Sequence, residues 1–336
     1  MLRGRGASYN NQYIGICQLT PSAPIGRFAP SPSGRMHLGN LFTALMSWLS
    51  VRSRGGKWIL RIEDLDPQRS KPEYSHLIEQ DLEWLGLDWD EGGMAGHGSN
   101  GPYIQSKRSH FYEEALARLK ETGLTYACSC TRADIMATRA PHQSDGRIIY
   151  GGRCRPATLP SPWIEPERPS AVRLAVTPEK IEFTDRICGP QSVSLTEECG
   201  DFVLRRSDGA WSYQLAVVVD DALMGVTEVA RGNDLLLSAA QQIYLYRLLG
   251  FKEPEFMHLP LICNARGLRL SKRDSSLSME ALRLSHTPEE LIGYTAWLAG
   301  LIDNPTPCKP SSLLDVFTTA TLSRQPSIIL PEINLK

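Results

Sequence analysis

Two short stretches of the 336-residue sequence hold side chains whose types and spacing suit phosphate chemistry. In Arg27-Phe-Ala-Pro-Ser-Pro-Ser-Gly-Arg-Met-His37-Leu-Gly39-Asn40, a histidine and a glycine stand at the start of a helical pattern, just past a strand end. Backbone N–H groups and the helix dipole at such a corner favour an anion. Gly39 would let a base or ribose come close, and His37 could donate to a phosphate oxygen, so ATP is the expected ligand. Far downstream, Gly267-Leu-Arg269-Leu-Ser271-Lys272-Arg273-Asp274 places several cations in a loop after an apolar strand. They could clamp the β and γ phosphates as charge builds on a pentavalent α-phosphorus. Taken singly, each stretch also reads as something plainer, a Pro-rich turn with a surface histidine or a solvated basic loop. Their joint presence favours the chemical reading.

A third cluster suits a metal. Cys128-x-Cys130 followed by Tyr150-x-x-x-Cys154 offers three thiolates and a phenolate, and three thiolates with one further ligand suit tetrahedral Zn²⁺. His142 would instead give a three-cysteine, one-histidine set, and three incidental thiols remain an alternative to any metal. The surrounding stretch, Tyr126 to about Pro169, is broken by prolines and glycines; a closed structural ion would give it rigidity.

The elements that must position these residues are legible in the hydrophobic pattern. Ile25 to Phe28 reads as a strand, Leu38 onward as a helix with Leu41, Leu45 and Trp48 on one face, and Lys57 to Ile62 as a second strand. Two parallel strands joined by a helix make a right-handed crossover. Helices are predicted from Pro72 to Gly86, Ser106 to Thr122, Leu236 to Leu249 and Pro288 to about Leu301. Strands are predicted at Ala171–Val176, Ile181–Ile187, Phe202–Arg206 and, after a Ser207-Asp208-Gly209 hairpin turn, Trp211–Val219.

Composition bounds the function classes. Lys plus Arg number 36 against 37 Asp plus Glu, for a net charge of -1, which excludes a uniformly basic nucleic-acid binder but not a local basic face. Hydrophobic residues at 42% argue against disorder. No stretch approaches the roughly 20 apolar residues that span a bilayer, and residues 1–23 lack the apolar segment of a secretory signal. Eight cysteines are too sparse for a disulfide framework, so a reducing cytoplasm and no membrane are expected.

The sequence resembles the class I aminoacyl-tRNA synthetases. His37-Leu-Gly39-Asn40 stands as the "HIGH" element and Arg269-Leu-Ser271-Lys272-Arg273 as the "KMSKS" element. Arg27-Phe-Ala-Pro-Ser-Pro-Ser-Gly, Arg61-Ile-Glu63-Asp64-Leu-Asp66 and Gly225-Val-Thr-Glu-Val-Ala-Arg231-Gly-Asn-Asp234 resemble the glutamyl branch. The likeness runs from about residue 24 to 300 in the expected order. Within the branch the chain is similar to the short paralogues that keep the catalytic domain and lack an anticodon-binding domain. About 35 residues follow the helical tail, and Trp211-Ser-Tyr213 through Asp220-Asp221 and the cysteine cluster look like the paralogues' versions of those regions.

The resemblance implies an α/β fold: a Rossmann-like parallel sheet with a zinc-bearing insertion and a small helical C-terminal appendage. It divides the chain into an extension at 1–23, the first half of the catalytic domain at 24–125, the insertion at 126–190, the second half at 191–260, the "KMSKS" loop with a helical stem-contact region at 261–304, and a tail at 305–336. It implies that Arg27, Ser31, Glu63, Tyr213 and Arg231 bind L-glutamate, the arginines clamping carboxylates and Glu63 holding the ammonium. His37, Gly39, Asn40, Ser271 and Lys272 would bind ATP with Mg²⁺, with His37 and Lys272 stabilising transition-state charge. Arg269 stands where the family usually has lysine, which keeps the charge and changes the geometry. Tyr150 is favoured over His142 as the fourth zinc ligand. The glutamyl acceptor would be the cyclopentenediol of queuosine at the wobble position of tRNA(Asp), held by its anticodon stem-loop, and a monomer is expected. Two alternatives stay open: a truncated synthetase charging the tRNA 3′ end, and a non-catalytic RNA-binding paralogue.

Overall fold

The computed structural model describes residues 23–137, 149–270 and 275–331. The chain alternates β1 (Ile25–Phe28), α1 (Leu38–Arg52), β2 (Lys57–Leu60), α2 (Pro72–Leu85), β3 (Glu91–Gly92) and α3 (Ser109–Glu121). It continues through β4 (Thr125–Cys128), α4 (Arg132–Ala137), β5 (Ala171–Leu174), β6 (Lys180–Asp185), β7 (Gly189–Ser194) and β8 (Phe202–Arg205). Then follow α5 (Tyr213–Leu223), β9 (Glu228–Gly232), α6 (Leu236–Leu249), β10 (Glu255–Leu259), β11 (Leu261–Cys263), α7 (Met279–Ser285), α8 (Pro288–Leu298) and β12 (Ser327–Ile329).

The central sheet has seven strands in the order β3-β2-β1-β9-β10-β6-β7. All neighbours are parallel except the antiparallel β6–β7 hairpin at one edge. Moving outward from the β1–β9 seam, the connections run one way to β2 and β3 and the other way to β10. A seam of this kind leaves a crevice at the carboxyl ends of its strands, where α/β proteins bind ligands. Gly26 permits the close packing of α1 on β1: a Cβ there would lie 2.5 Å from Val51 Cγ2.

The predicted strand, helix and strand at Ile25–Phe28, Leu38 onward and Lys57 are present and joined in parallel register, Ile25 opposite Lys57 and Phe28 opposite Leu60. Helix α1 buries far more than the expected face, including Leu38, Phe42, Ala44, Met46 and Leu49. Its outer side is covered by α8, β11 and the turn at Pro310–Leu313. Each fully buried leucine or phenylalanine there contributes about 1.5–3 kcal/mol.

One predicted element is wrong in type. Trp211–Val219 was expected as a strand, but the ladder stops at a single Arg205–Trp211 bridge. Ser212 then accepts from the Leu215 N–H at 3.3 Å and caps α5. Residues Leu215 to Asp221 are all buried, with α5 held among α3, α6 and β8, so packing on every side overrides the strand preference of the valine run. The predicted helix at Ser106 likewise opens as a 3-10 turn, Gln105–Lys107, before α3 begins.

A second, antiparallel sheet of β4, β5 and β8 is not hydrogen-bonded to the main one, although its Val172, Leu174, Phe202 and Leu204 share a core with α3, α5 and α6. It reaches from Thr125 to Arg205, past the expected insertion boundary at 190, while β6 and β7 within that span belong to the central sheet. Among the described residues no helix is long and apolar enough to cross a membrane.

Candidate active site

The β1–β9 seam opens into a cleft of about 360 Å³. Its walls bring together Arg27, Ser31, His37, Gly39, Asn40, Glu63, Tyr213 and Arg231, with Arg269 at its rim. Ser271 and Lys272, like His142, lie outside the described residues.

Arg27, next to last in β1, is 3% exposed. Its Nε donates to both Asp221 oxygens at 3.2 and 3.3 Å, and its Nη1 to the Ala230 carbonyl at 3.0 Å. Asp221, on α5, also accepts from Arg61 Nη1 at 2.6 Å. Arg61 reaches in the other direction, its Nη2 donating to Glu63 Oε1 at 3.1 Å. Burial alone would push the Asp221 carboxyl up, but Arg27 and Arg61 hold it below the usual carboxylate range. Glu63 behaves oppositely: burial raises its pKa despite the pull of Arg61 and Arg27. Its backbone N–H donates to the Pro30 carbonyl at 3.0 Å, which fixes it just beyond β2.

Arg231 enters from β9. Its Nη1 donates to Gln242 Oε1 at 2.7 Å and to the Tyr213 hydroxyl at 3.4 Å, and its Nη2 to the Leu235 carbonyl at 3.3 Å. Among the residues lining the cleft, Arg27, Arg35, Arg231 and Arg269 outnumber Glu63 and Asp234, so the cleft is net positive.

His37 and Asn40 form a reciprocal cap on α1. The Gly39 N–H donates to His37 Nδ1 at 3.1 Å, and the His37 N–H to Asn40 Oδ1 at 3.0 Å. Gly39 leaves room for the imidazole: a Cβ would sit 3.1 Å from two of its ring atoms. Arg269 forms an ion pair with Asp234. The residues that the pattern of the sequence did not single out are the supports, Asp221, Arg61, Gln242, Asp185 and His258. Arg61 and Asp221 stand inside strings quoted above without a role assigned to them, and the Asp220-Asp221 pair closes an apolar run, an unusual place for two carboxylates.

Against this geometry the comparisons are decisive. Residues 25–301 match the family of tRNA synthetases class I (E and Q), catalytic domain. The chain belongs to this family. It is therefore an ATP-dependent ligase of the aminoacyl-transfer type. A curated relative in Symbiobacterium thermophilum, named glutamyl-Q tRNA(Asp) synthetase, is 50% identical over 311 residues, covering 90% of this chain and 94% of that protein. A protein of the same name in Nitratidesulfovibrio vulgaris is 46% identical over 90% of this chain and 94% of its own length. Among solved structures, the glutamate tRNA ligase of Elizabethkingia meningosepticum, in complex with its amino acid, is 29% identical with a TM-score of 0.77. It covers 91% of this chain and 67% of its own.

This class I synthetase also gathers its cysteines. The sulfurs of Cys128, Cys130 and Cys154 lie within 4.8 Å of one another. The Tyr150 hydroxyl is 3.4 Å from Cys128 Sγ and 3.6 Å from Cys130 Sγ, and accepts from the Cys154 N–H at 2.8 Å. The Arg173 guanidinium lies 3.9 Å from the Tyr150 ring centre. Burial opposes ionisation of Cys154, yet hydrogen bonds from the Ser129 backbone and from Tyr150 bring its thiol down to about 7. Three converging sulfurs and a phenol at the root of β4 form a cluster that could hold a metal ion.

Proposed function

We propose that the chain activates L-glutamate with ATP and Mg²⁺ and transfers the glutamyl group to the cyclopentenediol of queuosine at the wobble position of tRNA(Asp). The observation that carries this reading is the convergence of Arg27, Arg231 and Glu63 in one cleft beside the His37 corner. A dicarboxylate bearing one ammonium needs two cations and one anion. The pocket's surplus positive charge complements the net negative charge of glutamate.

Arg27 and Arg231 would each hold a carboxylate, Glu63 the ammonium, and Ser31 and Tyr213 the polar margin. The α-carboxylate attacks the α-phosphorus, pyrophosphate leaves, and His37 and Lys272 stabilise the charge that develops. Asn40 and Gly39 serve the nucleotide by holding His37, Asn40 accepting its backbone N–H and the Gly39 N–H donating to its ring. Ser271 completes the "KMSKS" element. A ribose-like hydroxyl then displaces AMP from the adenylate.

A second cleft, of about 480 Å³, shares Ser31, Glu63 and Tyr213 with the first and runs to Trp211, Arg206 and Arg69. Its lining joins Trp211 with two arginines, Arg69 and Arg206, each ion-paired with an aspartate. Aromatic rings and arginines are the means by which proteins hold an exposed base and its phosphates, and the acceptor's phosphates would compete for those pairs. The antiparallel sheet of β4, β5 and β8 flanks this cleft through Val203 and would carry the anticodon stem-loop. Zn²⁺ held by Cys128, Cys130, Cys154 and Tyr150 would keep that sheet rigid as a closed structural site.

Labelled glutamate with ATP and Mg²⁺ is expected to transfer to queuosine-bearing tRNA(Asp), and neither to the same RNA lacking queuosine nor to tRNA(Glu). Labelling of tRNA(Glu) would make the chain a short protein-synthesis enzyme instead. Activation in the absence of tRNA is expected as well.

Glu63 binds an ammonium only as the carboxylate. Because its pKa is raised, that form is lost on acidification at a higher pH than the ordinary value of about 4.3. The kcat/KM for glutamate, which reports the free enzyme, should show an acid limb above that value in pyrophosphate exchange. A limb at or below it would remove Glu63 from this role.

A further inference from the structure

The clamp residue Arg231 is held from behind by two buried side chains on the next two strands. Arg231 on β9 stands directly opposite His258 on β10, and β10 in turn pairs with β6, where Asp185 is the last residue. The three residues are 5%, 0% and 1% exposed. Arg231 Nε lies 3.0 Å from His258 Nε2, and His258 Nδ1 lies 2.7 Å from Asp185 Oδ2.

An arginine Nε–H can only donate. His258 Nε2 must therefore present its lone pair, and the ring proton must sit on Nδ1, facing the carboxylate. Asp185 is itself fixed, accepting the backbone N–H groups of Ile187 at 2.9 Å, Cys188 at 2.8 Å and His258 at 3.1 Å. With Gln242, Tyr213 and Leu235 on its other nitrogens, Arg231 has acceptors for four of the five N–H groups of a guanidinium. The fifth is left for a ligand in the cleft that Arg231 lines. Without His258 the fork is held by its outer nitrogens alone, and loss of the fixed point at Nε lets it tilt and turns its one remaining donor away from its set direction.

We propose that Asp185 and His258 are positioning residues, a relay that orients Arg231 and so sets how tightly the pocket holds an α-amino dicarboxylate; this rests on the reading of the cleft given above. Neither His258 nor Asp185 lines the cleft; their link to it is Arg231, assigned above to glutamate, so the relay acts on the amino-acid substrate and leaves ATP alone. A merely structural role, pinning three strands together, would disturb both substrates and the fold alike.

The test is pyrophosphate exchange by the full chain and by His258→Phe and His258→Gln, with glutamate and ATP varied separately. His258→Phe is expected to raise KM for glutamate about 10- to 100-fold, the effect of losing one hydrogen bond to a charged group, with KM for ATP unchanged. His258→Gln, whose carbonyl oxygen reaches the place of Nε2, should recover most of that loss. Unchanged glutamate KM in His258→Phe, or a parallel rise for both substrates, would overturn the relay. A wild-type chain with no glutamate-dependent exchange would overturn the reading of the cleft and the relay together. Should the variants fail to fold, nitrogen NMR of the wild-type histidines decides: the relay requires His258 protonated at Nδ1 and bare at Nε2, and the opposite tautomer refutes it.

Discussion

Arg27→Ala is expected to lower kcat/KM for glutamate in pyrophosphate exchange by about 10²- to 10⁴-fold, from the roughly 3–5 kcal/mol that a broken buried charge pair costs. The loss has two sources. A carboxylate of the substrate loses its charged, forked partner, and Asp221 is left with Arg61 alone in a fully buried setting. Arg27→Lys separates the two: it restores a charge near Asp221 but not the geometry that spans Asp221 and the Ala230 carbonyl. Lysine should therefore recover thermal stability more than activity. Circular dichroism melts run beside the kinetics distinguish the two. Exchange by Arg27→Ala within tenfold of wild type would take Arg27 out of the glutamate site.

The second large effect concerns the cysteine cluster. Purified without chelator, the protein is expected to carry zinc, and stripping it or changing Cys130→Ser should cost transfer to RNA about 100-fold or more while sparing adenylate formation. Apparent binding energies of structural zinc reach about 10–16 kcal/mol, far above what the small sheet of β4, β5 and β8 can supply by itself. The central sheet keeps its own core around α1, β1 and β2, so exchange should fall less than tenfold. Elemental analysis comes first, and a protein free of zinc after unchelated purification would sink the metal reading. Equal loss of exchange and transfer would place the ion at the chemistry instead of beside it.

What the sequence discloses about this chain depends on the range of the interaction. The unit from β1 to β2 is legible because its strand, turn and helix signals are all local, and α6 ends as expected at Gly250, which adopts a left-handed φ of 66°. Arg27, Glu63 and Arg231 were reached through the resemblance of short motifs, and the cleft brings them together. Their supports were not reached. Asp221 is 194 residues from Arg27 and His258 is 27 from Arg231, and no periodicity marks which buried acid will face which base. The valine run of α5 misled because β-branched residues favour strands, while the packing that overrides them comes from α3, α6 and β8 elsewhere in the chain. Ser271, Lys272 and His142, named on motif grounds, lie outside the described residues.

The pairing of Arg61 with Asp221 has a consequence in time. The carboxylate that Arg27 and Arg61 share is encoded 160 residues after Arg61. At a synthesis rate of about 5–20 residues per second, the ribosome needs about ten to thirty seconds to cover that interval. Throughout it, Arg61 has Glu63 alone and Arg27 has no carboxylate partner among the described residues. The half of the molecule carrying the phosphate corner cannot seal early around its own arginines, and the pocket takes shape only when the second half has arrived to claim them.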